Sequence, residues 1–267
     1  MRDKAGEIGC HVFAPGLRVR LVEIVPAAET LAATLAGVAD LMRRLGKPVL
    51  FRAPGSVGGL VNRLRWPMLR EAIHLLDEGA TPARVDRALL AFGFAFAPFA
   101  ALDLEGLHGL TESCLAGADA WDPYSPTIDL MFDAGRLGAA AGRGWYRYEG
   151  GRPIMDREME TLLIESAQAQ RLSRRDIDDA EIVRRCLKAG VAGARTLLAL
   201  GDAASEIEVD AIWTGVLGFP RWRGGLLYHA RHARAEWRPE ISPRTAAPLL
   251  PPPLAGPARP DARHPAA

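Results

Sequence analysis

The chain has 267 residues, of which 49% are hydrophobic, so it is long enough to bury a sizeable core and to form two modest domains. With 33 Lys and Arg against 32 Asp and Glu, the net charge of +1 leaves no basic footprint for nucleic acid and no attraction to an anionic membrane. The three cysteines, Cys10, Cys114 and Cys186, are far apart and form no C-x-x-C pair, which implies reduced thiols, no structural zinc and a cytoplasmic location. The charged N-terminal stretch Met1-Arg-Asp-Lys4 does not read as a signal peptide, and no run of about eighteen apolar residues predicts a membrane span.

In chain order, Ile8-Gly-Cys-His-Val-Phe13 and Val19-Arg-Leu-Val-Glu-Ile-Val25 read as paired strands about the turn-forming Pro15-Gly16. Leu31, Leu35, Val38, Met42 and Leu45 then recur at helical spacing, with Gly46 as the stop and residues 47–52 as another strand. The Gly/Pro-rich loop Ala53-Pro-Gly-Ser-Val-Gly-Gly59 marks a boundary, after which helical periodicity dominates. Helices are expected from Val61 to Glu78 and, behind Thr81 as cap and Pro82 at the first helical position, to Phe92. A polar linker follows around 149–153, and Asp178 with Glu181 has capping-box spacing at the start of a further helical unit. From Arg238 the chain carries nine of its twenty prolines and few large apolar side chains, the composition of a disordered tail.

The two helical units share an order of features. Glu71-Ala-Ile-His-Leu-Leu-Asp-Glu-Gly79 leads to Asp86 and Phe92-Gly-Phe94, and Gly193-Ala-Arg-Thr-Leu-Leu-Ala-Leu-Gly201 leads to Asp210 and Leu217-Gly-Phe219, which reads as an internal repeat. Asp103 and Asp210 read as caps or turn residues, while Arg43-Arg44 and Arg184-Arg185 read as solvated helix-face charges. Arg221-Trp-Arg-Gly-Gly225 has two readings, a phosphate or adenine site and a structural turn.

Chemistry concentrates at the first strand pair. If the strands fold about a turn near Leu17, His11 and Glu23 are equidistant from it and face each other, carboxylate against imidazole. The carboxylate then fixes the tautomer, leaving the other ring nitrogen to take a proton from a substrate hydroxyl.

These stretches resemble a known family. Gly9-Cys-His-Val-Phe-Ala-Pro15 with Leu21-Val-Glu-Ile-Val25 is similar to the "GxHFFNP…LVEIV" signature of 3-hydroxyacyl-CoA dehydrogenases, and Pro54-Gly55 with Gly59-Leu-Val-Asn-Arg-Leu64 to their "PGFIVNRL". Residues 135–146 and Gly218-Phe-Pro-Arg-Trp-Arg-Gly-Gly225 resemble later segments, the last one typical of multifunctional β-oxidation enzymes. The resemblance implies His11 and Glu23 as catalytic dyad, Asn62 as a substrate-binding residue, an acyl-CoA substrate and NAD as cofactor. It implies a mainly α fold with a short α/β N-terminal remnant and two repeated helical domains of the family's C-terminal type. The division expected is residues 1–54 for the remnant, 55–150 for the first helical domain, 151–172 for a linker, 173–237 for the second repeat and 238–267 for the tail. Two departures remove polar groups, Ala14 for an asparagine and Ala140 for a lysine. A third is larger: no G-x-G-x-x-G turn precedes His11, so no cofactor-binding residue is assigned and most of the NAD-binding domain is expected to be missing. The chain then either completes its site with a partner chain or homo-oligomer, or serves as a non-catalytic acyl-CoA-binding or assembly subunit. No metal site is expected.

Overall fold

A computed structural model describes residues 7–13, 21–52, 59–108 and 125–233. The Pro15-Gly16 turn, the loop from Ala53 to residue 58, Cys114 and the proline-rich tail lie outside these residues. The molecule is mostly helical with a few short strands.

Strands β1 (Ile8–Phe13) and β2 (Leu21–Pro26) pair antiparallel, with His11 opposite Glu23, and β3 (Val49–Phe51) joins β2 in parallel through helix α1 (Ala32–Arg44). The sheet order is β1-β2-β3. Alternation along the strands sends His11, Phe13, Leu21 and Glu23 to one face, and that face packs on the helices that follow. No residue of α1 is buried, and Leu41, Phe51 and Val12 are each about half exposed.

The helical body is built on α2 (Leu60–Glu78), which is buried over most of its length, followed by α3 (Pro82–Phe92) and α4 (Pro98–Glu105). Thr81 caps α3 by accepting from the Arg84 amide, with Pro82 at the first helical position as expected. Next come α5 (Pro126–Asp133), the hairpin β4 (Arg147–Glu149) and β5 (Arg152–Ile154), and α6 (Arg157–Ala169). Residues 151–172, expected as a linker, therefore carry β5 and α6. Met159, Leu163 and Ala167 recur at helical spacing behind the Asp156 cap and are buried, a face the polar sequence around residue 150 obscures.

The last unit is α7 (Asp179–Ala199), α8 (Glu206–Gly215), a 3-10 turn at Arg221–Arg223 and α9 (Leu226–His232). Asp178 accepts from the Glu181 amide at 2.6 Å, as the capping-box spacing predicts. Helices α2 and α7 form the most extensive helix pair. Their approach depends on Gly193, where an added Cβ would lie 2.3 Å from Cγ of Pro67. Arg185, expected on a solvated face, is instead buried in this seam, donating from Nε to Glu71 at 2.6 Å and from both terminal nitrogens to Glu78 at 2.6 and 2.8 Å. Sequence spacing alone does not tell a helix's outer face from a helix–helix seam, and here the partner carboxylates lie over a hundred positions away.

Three further aspartates each accept from two consecutive backbone amides, two of them at positions the sequence reads as caps. Asp103 accepts from the Trp145 and Tyr146 amides, and Asp210 accepts from those of Leu227 and Tyr228 at the start of α9. Asp86 does the same for Phe99 and Ala100 at the start of α4 and also receives the Tyr146 hydroxyl. Burial raises the carboxyls of both Asp86 and Asp103 to about 6, against the opposing pull of those hydrogen bonds.

Candidate active site

His11 and Glu23 meet as side chains, with Nδ1 of the imidazole 2.8 Å from Oε2 of the carboxylate. Glu23 is fully buried, whereas the His11 side chain keeps 36% of its surface exposed. A buried carboxylate needs donors on its second oxygen, and α2 supplies them. The Leu60 amide donates to Glu23 Oε1 at 2.6 Å, with that of Val61 at 3.4 Å, both at the helix N-terminus where the backbone dipole favours a negative charge. The helix thus holds the carboxylate, which in turn holds the imidazole.

That arrangement sets the tautomer by its hydrogen bonds. With Glu23 ionised, His11 Nδ1 carries the hydrogen it donates, and Nε2 is left as an acceptor. Asn62 Nδ2 stands 3.4 Å from Nε2 and presents N–H toward it. The Asn62 Oδ1 is buried and has no hydrogen-bond partner among the described residues. The three residues singled out in the sequence come together here, and the group is chemically able to take a proton at Nε2 and return it.

The sequence reading missed Gly59. A Cβ there would lie 2.1 Å from Glu23 Oε2 and 2.8 Å from His11 Nδ1, so the dyad fits beneath the start of α2 only because this position has no side chain. In the sequence Gly59 reads as the end of a boundary loop and the opening of the family-like Gly59–Leu64 stretch, and its signal is a glycine immediately before a helical run. The Arg221–Gly225 stretch forms the turn between α8 and α9: Arg223 lies over the Phe92 ring at 4.1 Å, and Trp222 is largely exposed. Among the described residues no group of three His, Cys, Asp or Glu could hold a metal ion, and no helix is long and apolar enough to cross a membrane.

A His–Glu pair across β1 and β2, set on the N-terminus of a buried helix that carries an amide, lies at the junction of the sheet and the helical body. Residues 58–148 match the family model of the 3-hydroxyacyl-CoA dehydrogenase C-terminal domain, and residues 1–52 match that of the 3-hydroxyacyl-CoA dehydrogenase NAD binding domain. The chain belongs to the 3-hydroxyacyl-CoA dehydrogenase family.

It is 34% identical over 244 residues to the peroxisomal bifunctional enzyme of Danio rerio, an alignment covering 83% of this chain and 33% of that protein. It is 35% identical over 222 residues to the fatty acid oxidation complex subunit alpha of Aliivibrio fischeri, covering 82% of this chain and 31% of that protein. The chain spans about a third of the length of the curated relatives it matches. Among solved structures it is similar to the dehydrogenase part of multifunctional enzyme 1 from C. elegans, with a TM-score of 0.57, 25% identity and coverage of 82% of this chain and 50% of that one. The 3-hydroxybutyryl-CoA dehydrogenase of Escherichia coli, at 20% identity, TM-score 0.59 and coverage of 87% and 68%, shares the fold.

The expected cytoplasmic location is overturned by these relatives, since the matched enzymes of Cavia porcellus, Danio rerio and Homo sapiens are peroxisomal. Free thiols distinguish oxidising from reducing surroundings and carry no address among the reducing ones.

The family's cofactor is NAD, named in the domain model that residues 1–52 match. The residues described here do not form a seat for its pyrophosphate. The strand-to-helix turn from β2 into α1 is Ala27-Ala28-Glu29-Thr30, with no glycine for close backbone approach.

Proposed function

We propose that this chain supplies the acid–base half of 3-hydroxyacyl-CoA oxidation to 3-ketoacyl-CoA in fatty-acid β-oxidation. His11 acts as base, Glu23 as its orienter and Asn62 as a substrate-binding amide. The observation that carries the reading is the 2.8 Å contact of a buried Glu23 with a partly exposed His11 whose Nε2 lies beside Asn62. In this role Nε2 takes the 3-hydroxyl proton, and Glu23 stabilises the imidazolium that results. NAD, when bound, is the hydride acceptor.

Residues 1–54 and 55–150 are read as the sheet remnant and first helical domain, and residues 173–237 as a second copy of the helical unit. The matched capping by Asp86 and Asp210 supports the repeat, as does the edge-to-face contact of Phe94 with Phe219, ring centres 5.6 Å apart. Completion by a partner chain or a second copy is supported by β3, whose outer edge pairs with no strand among the described residues.

The test is calorimetric binding of acetoacetyl-CoA, together with turnover of 3-hydroxybutyryl-CoA and NAD by the chain, alone and with any chain that carries a glycine-rich dinucleotide turn. The expected result is acyl-CoA binding by the wild type and, wherever turnover occurs, a loss of roughly 10²–10⁴-fold in His11→Gln. Equal turnover in the two proteins refutes the reading, and binding without turnover in every combination favours the assembly-subunit alternative.

A further inference from the structure

Among the described residues strand β1 is held in the sheet by β2 alone, and Phe13 is its one buried residue. What lies on Phe13 is a guanidinium, the Arg65 Cζ standing 5.1 Å from the ring centre. Arg65 projects from α2 three residues after Asn62, and residues three apart on a helix are neighbours on its surface. Phe13 follows His11 by two residues and so faces the same way along β1. Strand and helix therefore meet in two adjacent rungs, His11 against Asn62 and Phe13 against Arg65.

The second rung is fixed from behind. Glu105, the last residue of α4, receives two parallel hydrogen bonds from Arg65, at 2.7 and 2.6 Å. A two-pronged pair locks the plane of the guanidinium as well as its position. Arg65 is also costly to place here: it is buried on a helix whose neighbouring Leu64, Trp66, Met68 and Leu69 are buried too. An apolar side chain would fill the site with no charge to desolvate, so the ion pair is not explained by stability. A planar clamp is what an apolar residue cannot provide.

We propose that Arg65 is a positioning residue for the dyad. Gripped by Glu105, it presses Phe13 and thereby sets His11 at its working distance from Asn62, which links α4 of the helical body to the strand that carries the base. The assignment rests on the function proposed above for His11 and Glu23.

The experiment uses the full chain and the variants Arg65→Met, Arg65→Lys and Glu105→Gln, with Arg147→Met as control because that arginine is exposed and pairs with Glu149 in β4. Lysine keeps the charge without the planar fork, and glutamine keeps an acceptor without the charge, and the fold of each variant is checked by far-ultraviolet circular dichroism. The first readout is the proton resonance of His11 Nδ1–H, assigned by its disappearance in His11→Gln and shifted downfield by its bond to Glu23. Weakening of the clamp shifts or broadens this resonance in every folded Arg65 and Glu105 variant and not in the control. The second is a kcat lower by roughly 10- to 100-fold with little change in KM, as expected of a base displaced by about an ångström.

An unchanged resonance in the folded variants overturns the proposal, and so does a lower kcat with an undisturbed resonance. The resonance reports geometry without catalysis: a wild type that never turns over sinks the proposed function while this test still decides the positioning role.

Discussion

Replacing Gly59 with alanine adds one methyl group at the point where the dyad meets α2. The new Cβ would stand 2.1 Å from Glu23 Oε2, while ordinary contact begins at 3.4 Å, so the carboxylate has to retreat by more than an ångström or the helix start has to lift. Either movement pulls Glu23 Oε1 away from the Leu60 amide, now at 2.6 Å, in a place with no water to replace it, since Glu23 has no exposed surface. A hydrogen bond to a charged group contributes about 1.5–3 kcal/mol, and uncovering a buried charge costs more. A loss of about 3 kcal/mol is therefore expected, or roughly 6–12 °C in Tm for a chain of this size. The control is Gly37→Ala in α1, where an added Cβ meets nothing within 4 Å and helix propensity predicts a small gain in stability. Thermal unfolding followed by circular dichroism reads both, and the His11 Nδ1–H resonance reads the dyad directly. If Gly59→Ala melts within about 2 °C of the wild type with the resonance in place, a shift smaller than about 1 kcal/mol produces, the steric account of this junction is wrong.

Two further outcomes test the body that carries the site. Asp86 and Asp103 bind protons more tightly in the folded chain, at about 6, than in the unfolded one, so their contribution makes stability fall as pH rises from about 4 to about 6 and flatten above. Asp86 faces Asp103 and the Tyr146 hydroxyl, and Asp103 faces Tyr148 and Arg136; urea unfolding across this range should show a shallower decline in Asp86→Asn than in the wild type, and an identical slope would contradict the assignment. Arg185→Met strands the buried Glu71 in the α2–α7 seam and leaves Glu78 with Arg175 alone, and is expected to cost about 3–5 kcal/mol in urea unfolding, part of it recovered when Glu71→Met is added. A single variant as stable as the wild type would show that the seam does not depend on this pair.

Much of this protein can be read locally. The two extended apolar runs about Pro15-Gly16 point to a strand pair, and the register that makes His11 and Glu23 equidistant from a turn near Leu17 is the register observed. Thr81-Pro82 and Asp178 with Glu181 locate helix starts because a cap acts within three or four residues of itself. Asn62 is legible only through the resemblance, as its position after the glycine-rich loop carries no chemical signature of its own.

What only the tertiary structure decided depends on partners far apart in the chain. Arg185 reads as a surface charge until Glu71 and Glu78 are placed against it, and residues 151–172 read as a linker until α5 and α2 cover the buried face of α6. Gly59 reads as loop punctuation until the Glu23 carboxylate occupies the space a side chain would fill. Arg65 is one arginine among many until Phe13 and Glu105, 52 positions before it and 40 after, close on its two sides. Local sequence encodes backbone preference and periodicity, whereas burial and charge pairing are properties of the assembled chain, set by which surfaces meet once the helices and the sheet have packed.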